Sequence, residues 1–277
     1  MPANTFGLRL EQAYGAAVGR LWRQVAAAVV DGFDGIDRDD LAAGFRAFLP
    51  LATRAVALGQ QQAQALAVGF VTQYVESQAS RAFRPEPAAA ALAGRAPAGD
   101  DLSRAMASAV GVTWLSLRQG RPPGEALGLG RLYAGRLAGR AVAVAADREL
   151  EHQAERSRGL MVGWEWVTTG GETCVACLAE QDGRTRPWSE GIGRHNGCEC
   201  IQSPVLAGVG DAAPRPTGDE LFRAMSPERQ AEVFKGAGED KAELVRAGDA
   251  SLRDFIARER TPGGRIVTEA PLPAATP

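Results

Sequence analysis

Apolar residues recur at helical spacing through the first half of the chain. Leu8, Leu10, Ala13, Ala17, Leu21 and Val25 form one stripe, widened by Trp22 and Val29, which predicts an amphipathic helix. A second run has the same period: Leu41, Ala42, Phe45, Leu51, Val56, Leu66, Val68, Val71 and Val75. Asp37 is placed to cap it, and Pro50 should kink or break it. From residue 82 to 99 proline, alanine and glycine dominate, and Arg84-Pro85-Glu86-Pro87 reads as an extended connector. Helical patterning returns over 100–117 and 125–158. The second of these stretches contains Gly128, Gly130, Gly135 and Gly139, each costing ~1 kcal/mol relative to alanine inside a helix. Their repetition points to close helix packing or, equally, to a weak helix start near Gly128.

The texture changes at Gly159. Val162, Trp164, Trp166 and Thr168 alternate with Gly163, Glu165 and Val167, a period of two that puts both tryptophans on one face of a strand. Gly170-Gly171 marks a turn, Asp182-Gly183 a hairpin-type turn into a short polar strand over 184–188, and 201–204 is again strand-like. Beyond a Pro/Gly spacer, Thr217 with Glu220 and Ser251 with Asp254 fit capping boxes. Ser226-Pro227 places proline at a first helical position. The expected fold class is mainly α with a small α+β module. Its parts are a helical N-terminal region (1–159), a cysteine/histidine module (160–207), short C-terminal helices (208–269) and a disordered tail (270–277).

Composition narrows the function classes. The formal net charge of −2 over 277 residues gives no large basic surplus for wholesale binding to nucleic-acid phosphates. No uninterrupted apolar run of ~18 residues is present, the strongest candidate being the short Ala141–Ala146, so no membrane association is expected. The N-terminus lacks a secretory signal pattern, which predicts a reducing cytoplasm where disulfides are disfavoured. There is no phosphate-binding Gly-x4-Gly-Lys loop and no Gly-x-Ser-x-Gly elbow. With only His152 and His195 as imidazoles, neither nucleotide hydrolysis nor a serine triad is supported, and no small-molecule substrate is indicated. Arg131, Arg136, Arg140 and Arg148 read as part of a solvated face beside Glu149 and Glu151 rather than as a DNA-binding strip, and His152 as a surface residue. Trp164 and Trp166 read as core, and Asp182 as a turn residue.

The distinctive chemistry lies in one window. Cys174, Cys177, Cys198 and Cys200 are all the cysteines of the chain, and His195 lies among them. Thiolates and imidazoles in such a cluster suit a structural zinc ion, which takes four ligands tetrahedrally, so five candidates leave one spare. Two disulfides are the plain alternative. A thiol redox enzyme needs a βαβ context that the helical pattern lacks, and a metal-dependent nuclease with His195 as base lacks a second catalytic histidine or an acidic cluster.

At this window the chain resembles the MuF-like phage head-morphogenesis family, the minor head or minor capsid proteins. The resemblance lies in the order Trp166-x-Thr168, Thr173-Cys174-x2-Cys177, Asp182-Gly183, Pro187 and His195-x2-Cys198-x-Cys200, closing with Pro204. Asn196 stands where the family pattern has proline. Elsewhere the likeness is one of layout only. The resemblance implies a non-enzymatic, low-copy protein of the phage head, near the portal, made in the host cytoplasm and carried into the virion head. Its implied partners are the portal protein and other capsid or prohead components, with packaged DNA as a further contact. Its implied role is assembly, or DNA retention or delivery.

Overall fold

A computed structural model describes residues 3–88, 94–157, 159–169, 173–193, 198–209, 215–234, 238–261 and 264–269. Most of the chain is helical: α1 (Ala3–Asp34), α2 (Leu41–Ala79), α3 (Leu102–Arg118) and α4 (Pro123–Arg156) precede a small mixed region. That region comprises β1 (Met161–Val167), α5 (Val175–Glu180) and β2 (Ile201–Leu206), then α6 (Gly218–Arg223), α7 (Pro227–Val233), α8 (Gly238–Ala247) and a hairpin of β3 (Ile256–Thr261) and β4 (Gly264–Glu269). The mainly α class with a small α+β module is therefore correct. The closing hairpin was not legible as such in a stretch expected to hold only short helices. The expected disordered tail lies outside the described residues.

The chain forms two compact units that do not follow sequence order. One contains Met1–Gly15, Gln73–Phe83 and Ser157–Pro277; the other contains Ala16–Thr72 and Arg84–Arg156.

The second unit is a packing of long helices around small residues. Phe33 of α1 meets Phe45 and Phe48 of α2 edge-on, with ring centroids 5.8 and 5.0 Å apart. The glycines of α4 serve contact: a Cβ at Gly130 would lie 2.0 Å from Thr113 Oγ1 of α3, one at Gly135 2.8 Å from Val30, and one at Gly139 2.7 Å from Trp22 of α1. Close packing thus explains three of the four glycines, while Gly128 has open space. Asp40, not Asp37, caps α2 by accepting the Ala43 N–H at 3.0 Å; Asp37 accepts the Asp39 N–H. Pro50 does not break α2, which runs unbroken through it. Buried Phe45, Phe48, Ala52 and Val56 on either side hold the helix against the lost hydrogen bond. An 18-residue window of α2 reaches a mean hydropathy of 1.3, so α2, not 141–146, is the long apolar segment.

The proline-rich connector is extended, as expected, and is strapped to the helices by side chains. Glu149 accepts the Ala88 N–H at 3.1 Å, Gln153 donates to the Glu86 carbonyl at 2.9 Å, and Gln60 accepts the Gly94 N–H at 2.7 Å. Glu149, expected on a solvated face, is therefore fully buried, while half-buried His152 has its Nε2 3.0 Å from the Glu86 carbonyl. Arg148 donates to the Pro97 carbonyl and Arg131 pairs with Asp34, so these arginines do not form one free strip.

In the first unit β1 and β2 pair antiparallel, with Trp166 opposite Gln202 and Trp164 opposite Pro204. A register irregularity between Met161 and Gly163 throws Val162 out to solvent, while Trp164 and Trp166 are buried as predicted. The polar stretch over 184–188 contributes one bridge in place of a strand: Trp164 and Arg186 exchange backbone hydrogen bonds at 2.9 and 2.8 Å. Gly163 permits this, since a Cβ there would come within 2.7 Å of the Arg186 carbonyl. Helices α6 and α7 start as their sequences predict. Thr217 and Glu220 form a reciprocal capping box, and Ser226 accepts the Arg229 N–H with Pro227 next in line.

Candidate metal centre

Helix α5 connects two cores. Val175, Leu178 and Ala179 join Phe222, Val233, Phe234, Val245, Leu252 and Phe255 in an apolar cluster. From the same helix, Cys177 enters a second cluster with Trp164, Trp166, Cys198 and Cys200, flanked by Cys174, Trp188 and Ile192. Cys174 stands at the N-cap of α5 in extended conformation, and Cys177 follows one turn later. Cys198 and Cys200 lie on the run into β2, whose ladder with β1 brings them under the tryptophans.

The sulfurs converge. Cys174 Sγ is 3.7 Å from Cys177 Sγ, which is 3.8 Å from Cys198 Sγ. The sulfurs of Cys177, Cys198 and Cys200 all lie within 4.8 Å of one another and are buried. At 3.7 and 3.8 Å these sulfurs stand well beyond the ~2.05 Å of a disulfide bond. Four thiolates around a tetrahedral ion at ~2.3 Å stand ~3.8 Å apart along each edge, the spacing found at Cys177. Three buried cysteines can therefore hold a metal ion, with Cys174 adjacent to supply a fourth sulfur. His195, the fifth predicted ligand, lies outside the described residues.

The clustered thiols resist ionisation without a cation beside them. Proton sharing with Cys174, then with Cys198 and Cys200, and finally burial push the Cys177 thiol well above its usual range. Adjacent thiolates repel one another and are poorly solvated there, and a dication reverses both effects. Trp166 Nε1 lacks an acceptor, and Gln202 opposite it is fully buried with neither side-chain polar atom bonded.

Two ionic networks brace the module, and sequence reading missed both. Arg186 is 1% exposed, with its guanidinium 5.4 Å from the Trp164 ring centroid, 3.3 Å from a Glu180 oxygen and 3.0 Å from Asp182. Asp182 keeps its predicted turn role by accepting the Arg184 N–H at 3.0 Å, and it also pairs with Arg253. The other network centres on Arg215, which contacts Glu11 at 2.5 Å, Tyr74 at 3.0 Å, Ser203 at 2.9 Å and also Glu165. Burial pushes the Glu11 carboxyl up, with Arg215 and Ser203 opposing, and leaves one of its oxygens without a partner. Burial also disfavours the charge on Arg215, but Glu11, Tyr74 and Glu165 outweigh it and hold that guanidinium charged. No local motif signals contacts between residues as far apart as 11 and 215.

No protein-family model, curated protein or solved structure matches this chain.

Proposed function

We propose that this protein is a minor component of a tailed-phage head that acts in head morphogenesis at or near the portal. In this reading a structural zinc ion held by Cys174, Cys177, Cys198 and Cys200 fixes the module between β1 and β2. The supporting observation is that one window combines the ordered pattern from Trp166 to Pro204 with four cysteines, of which Cys177 stands at tetrahedral-edge distance from two others. The zinc closes a module whose apolar clusters are small, and binding free energy becomes folding free energy.

The role is tested by blotting purified heads and proheads for the protein and by cross-linking it in assembling cells. Low-copy presence in heads with cross-links to the portal protein is the expected result. Absence from heads, or DNA cleavage by the purified protein that His195→Ala abolishes with the fold intact, would overturn the reading in favour of a metal-dependent nuclease.

A further inference from the structure

Helix α2 carries a second stripe, on the side away from its own core. Phe45, Phe48, Ala52, Val56 and Ala63 are buried on one side of the helix. At ~100° per residue, Ala47, Leu51, Arg54, Leu58, Gln61 and Ala65 fall within roughly 100° of arc on the opposite side. All six are exposed, Leu51 by 69% and Leu58 by 49%. Half-buried Val68 and Thr72 continue the same alternation of four-residue and three-residue steps, which is the spacing of a coiled-coil seam. The water-facing side of a helix ordinarily carries charges, yet Arg46 and Arg54 are the only charged residues between Asp40 and Glu76. Of the α2 window whose mean hydropathy is 1.3, 22% is buried within the chain.

The stripe is uneven along its length, and its two halves fit each other. Bulk stands in the first half, at Leu51, Arg54 and Leu58. Hollows stand in the second, at Ala65 and at Gly69, where a built Cβ would have nothing within 4 Å. Two copies of α2 laid antiparallel about Gln61 set Leu58 of each against Ala65 of the other, Leu51 against Thr72, and Arg54 against Val68 and the open Gly69. The two Gln61 amides meet on the axis and can hydrogen-bond each other, a polar seam position of the kind that fixes register. The Arg54 side chains of the two copies then stand ~21 Å apart along the seam, at ~1.5 Å per residue. A parallel pairing would instead bring Arg54 against Arg54 and hollow against hollow, which like-charge repulsion and poor packing disfavour.

We propose that α2 binds α2 of a second copy in an antiparallel, two-fold symmetric pair centred on Gln61. A seam ~37 Å long and ~10 Å wide covers on the order of 400 Å² per copy, about half of a standard interface, so the pair is a weak, concentration-dependent one.

Sedimentation velocity on the full chain from about 10 to about 500 μM tests this, and the wild type is expected to pass from monomer to dimer across that range. Leu58→Glu and Ala65→Lys, each alone, should weaken the dimer by about tenfold or more with helical circular dichroism unchanged. The variant carrying both substitutions places a carboxylate of each copy against an ammonium of the other, twice over, and dimerisation should return to within about threefold of the wild type. Misfolding of a single variant could not produce that recovery. A wild type that stays monomeric throughout overturns the proposal. A dimer indifferent to Leu58→Glu overturns it by placing the contact elsewhere, and a double variant that stays monomeric overturns the antiparallel register about Gln61.

Discussion

At the residue scale, Glu11 shows how a buried charge can be held yet remain costly. One arginine serves two carboxylates, and Glu11 gains less from Arg215 than burial takes away. A carboxyl whose folded pKa lies above its unfolded value adds stability below the unfolded pKa and loses it as pH rises through the folded one. Glu11→Gln retains an acceptor for Ser203 and does not titrate. Relative to the wild type it should therefore become more stable as pH rises, with the difference levelling off above the raised Glu11 pKa. Melting curves of both proteins between about pH 4 and about pH 8 test this, and a difference flat across that range would contradict it. The cysteines behave oppositely, because metal must displace their protons. A metal ion at this cluster should accordingly be held less tightly as pH falls.

At the element scale, the helices were legible because their information is local. The stripes of α1 and α2, the Thr217–Glu220 and Ser226-Pro227 starts, and the two tryptophans on one face of β1 are each written within a few residues. What was not legible depends on distant partners. Pro50 reads as a breaker until Phe45 and Phe48 are packed against Phe33, and Glu149 reads as solvated until the 84–88 segment covers it. The glycines of α4 are an intermediate case. Their spacing suggested packing but could not name Thr113, Val30 and Trp22 as the neighbours. Gly130→Ala should cost ~1–3 kcal/mol despite its better helix propensity, since its Cβ would meet Thr113 Oγ1, Phe33 and the Ala109 carbonyl within 3 Å. Gly128→Ala, with open space, should instead be neutral or stabilising. Urea melts of the two variants provide the check, and equal effects would refute the packing account.

At the scale of the whole molecule, the window from Trp164 to Pro204 was the clearest part of the candidate site in sequence. Ligand type and spacing announce a cysteine cluster without any knowledge of the fold. The fold adds which sulfurs meet and what braces them. The first compact unit draws Glu11, Tyr74 and Arg215 around the β1–β2 ladder, so residues far outside the cysteine window support it. Cys174→Ser or Cys177→Ser should therefore melt this unit and spare the helices of the other, and hydrogen exchange resolved by segment will show whether protection is lost there alone. The central claim, that the four cysteines form a metal knot, is tested most directly by elemental mass spectrometry with a thiol count, on protein purified under reducing conditions without chelator. The account predicts about one zinc per chain and thiols that react only after chelator is added. No bound metal, with all four thiols freely titratable, would contradict it.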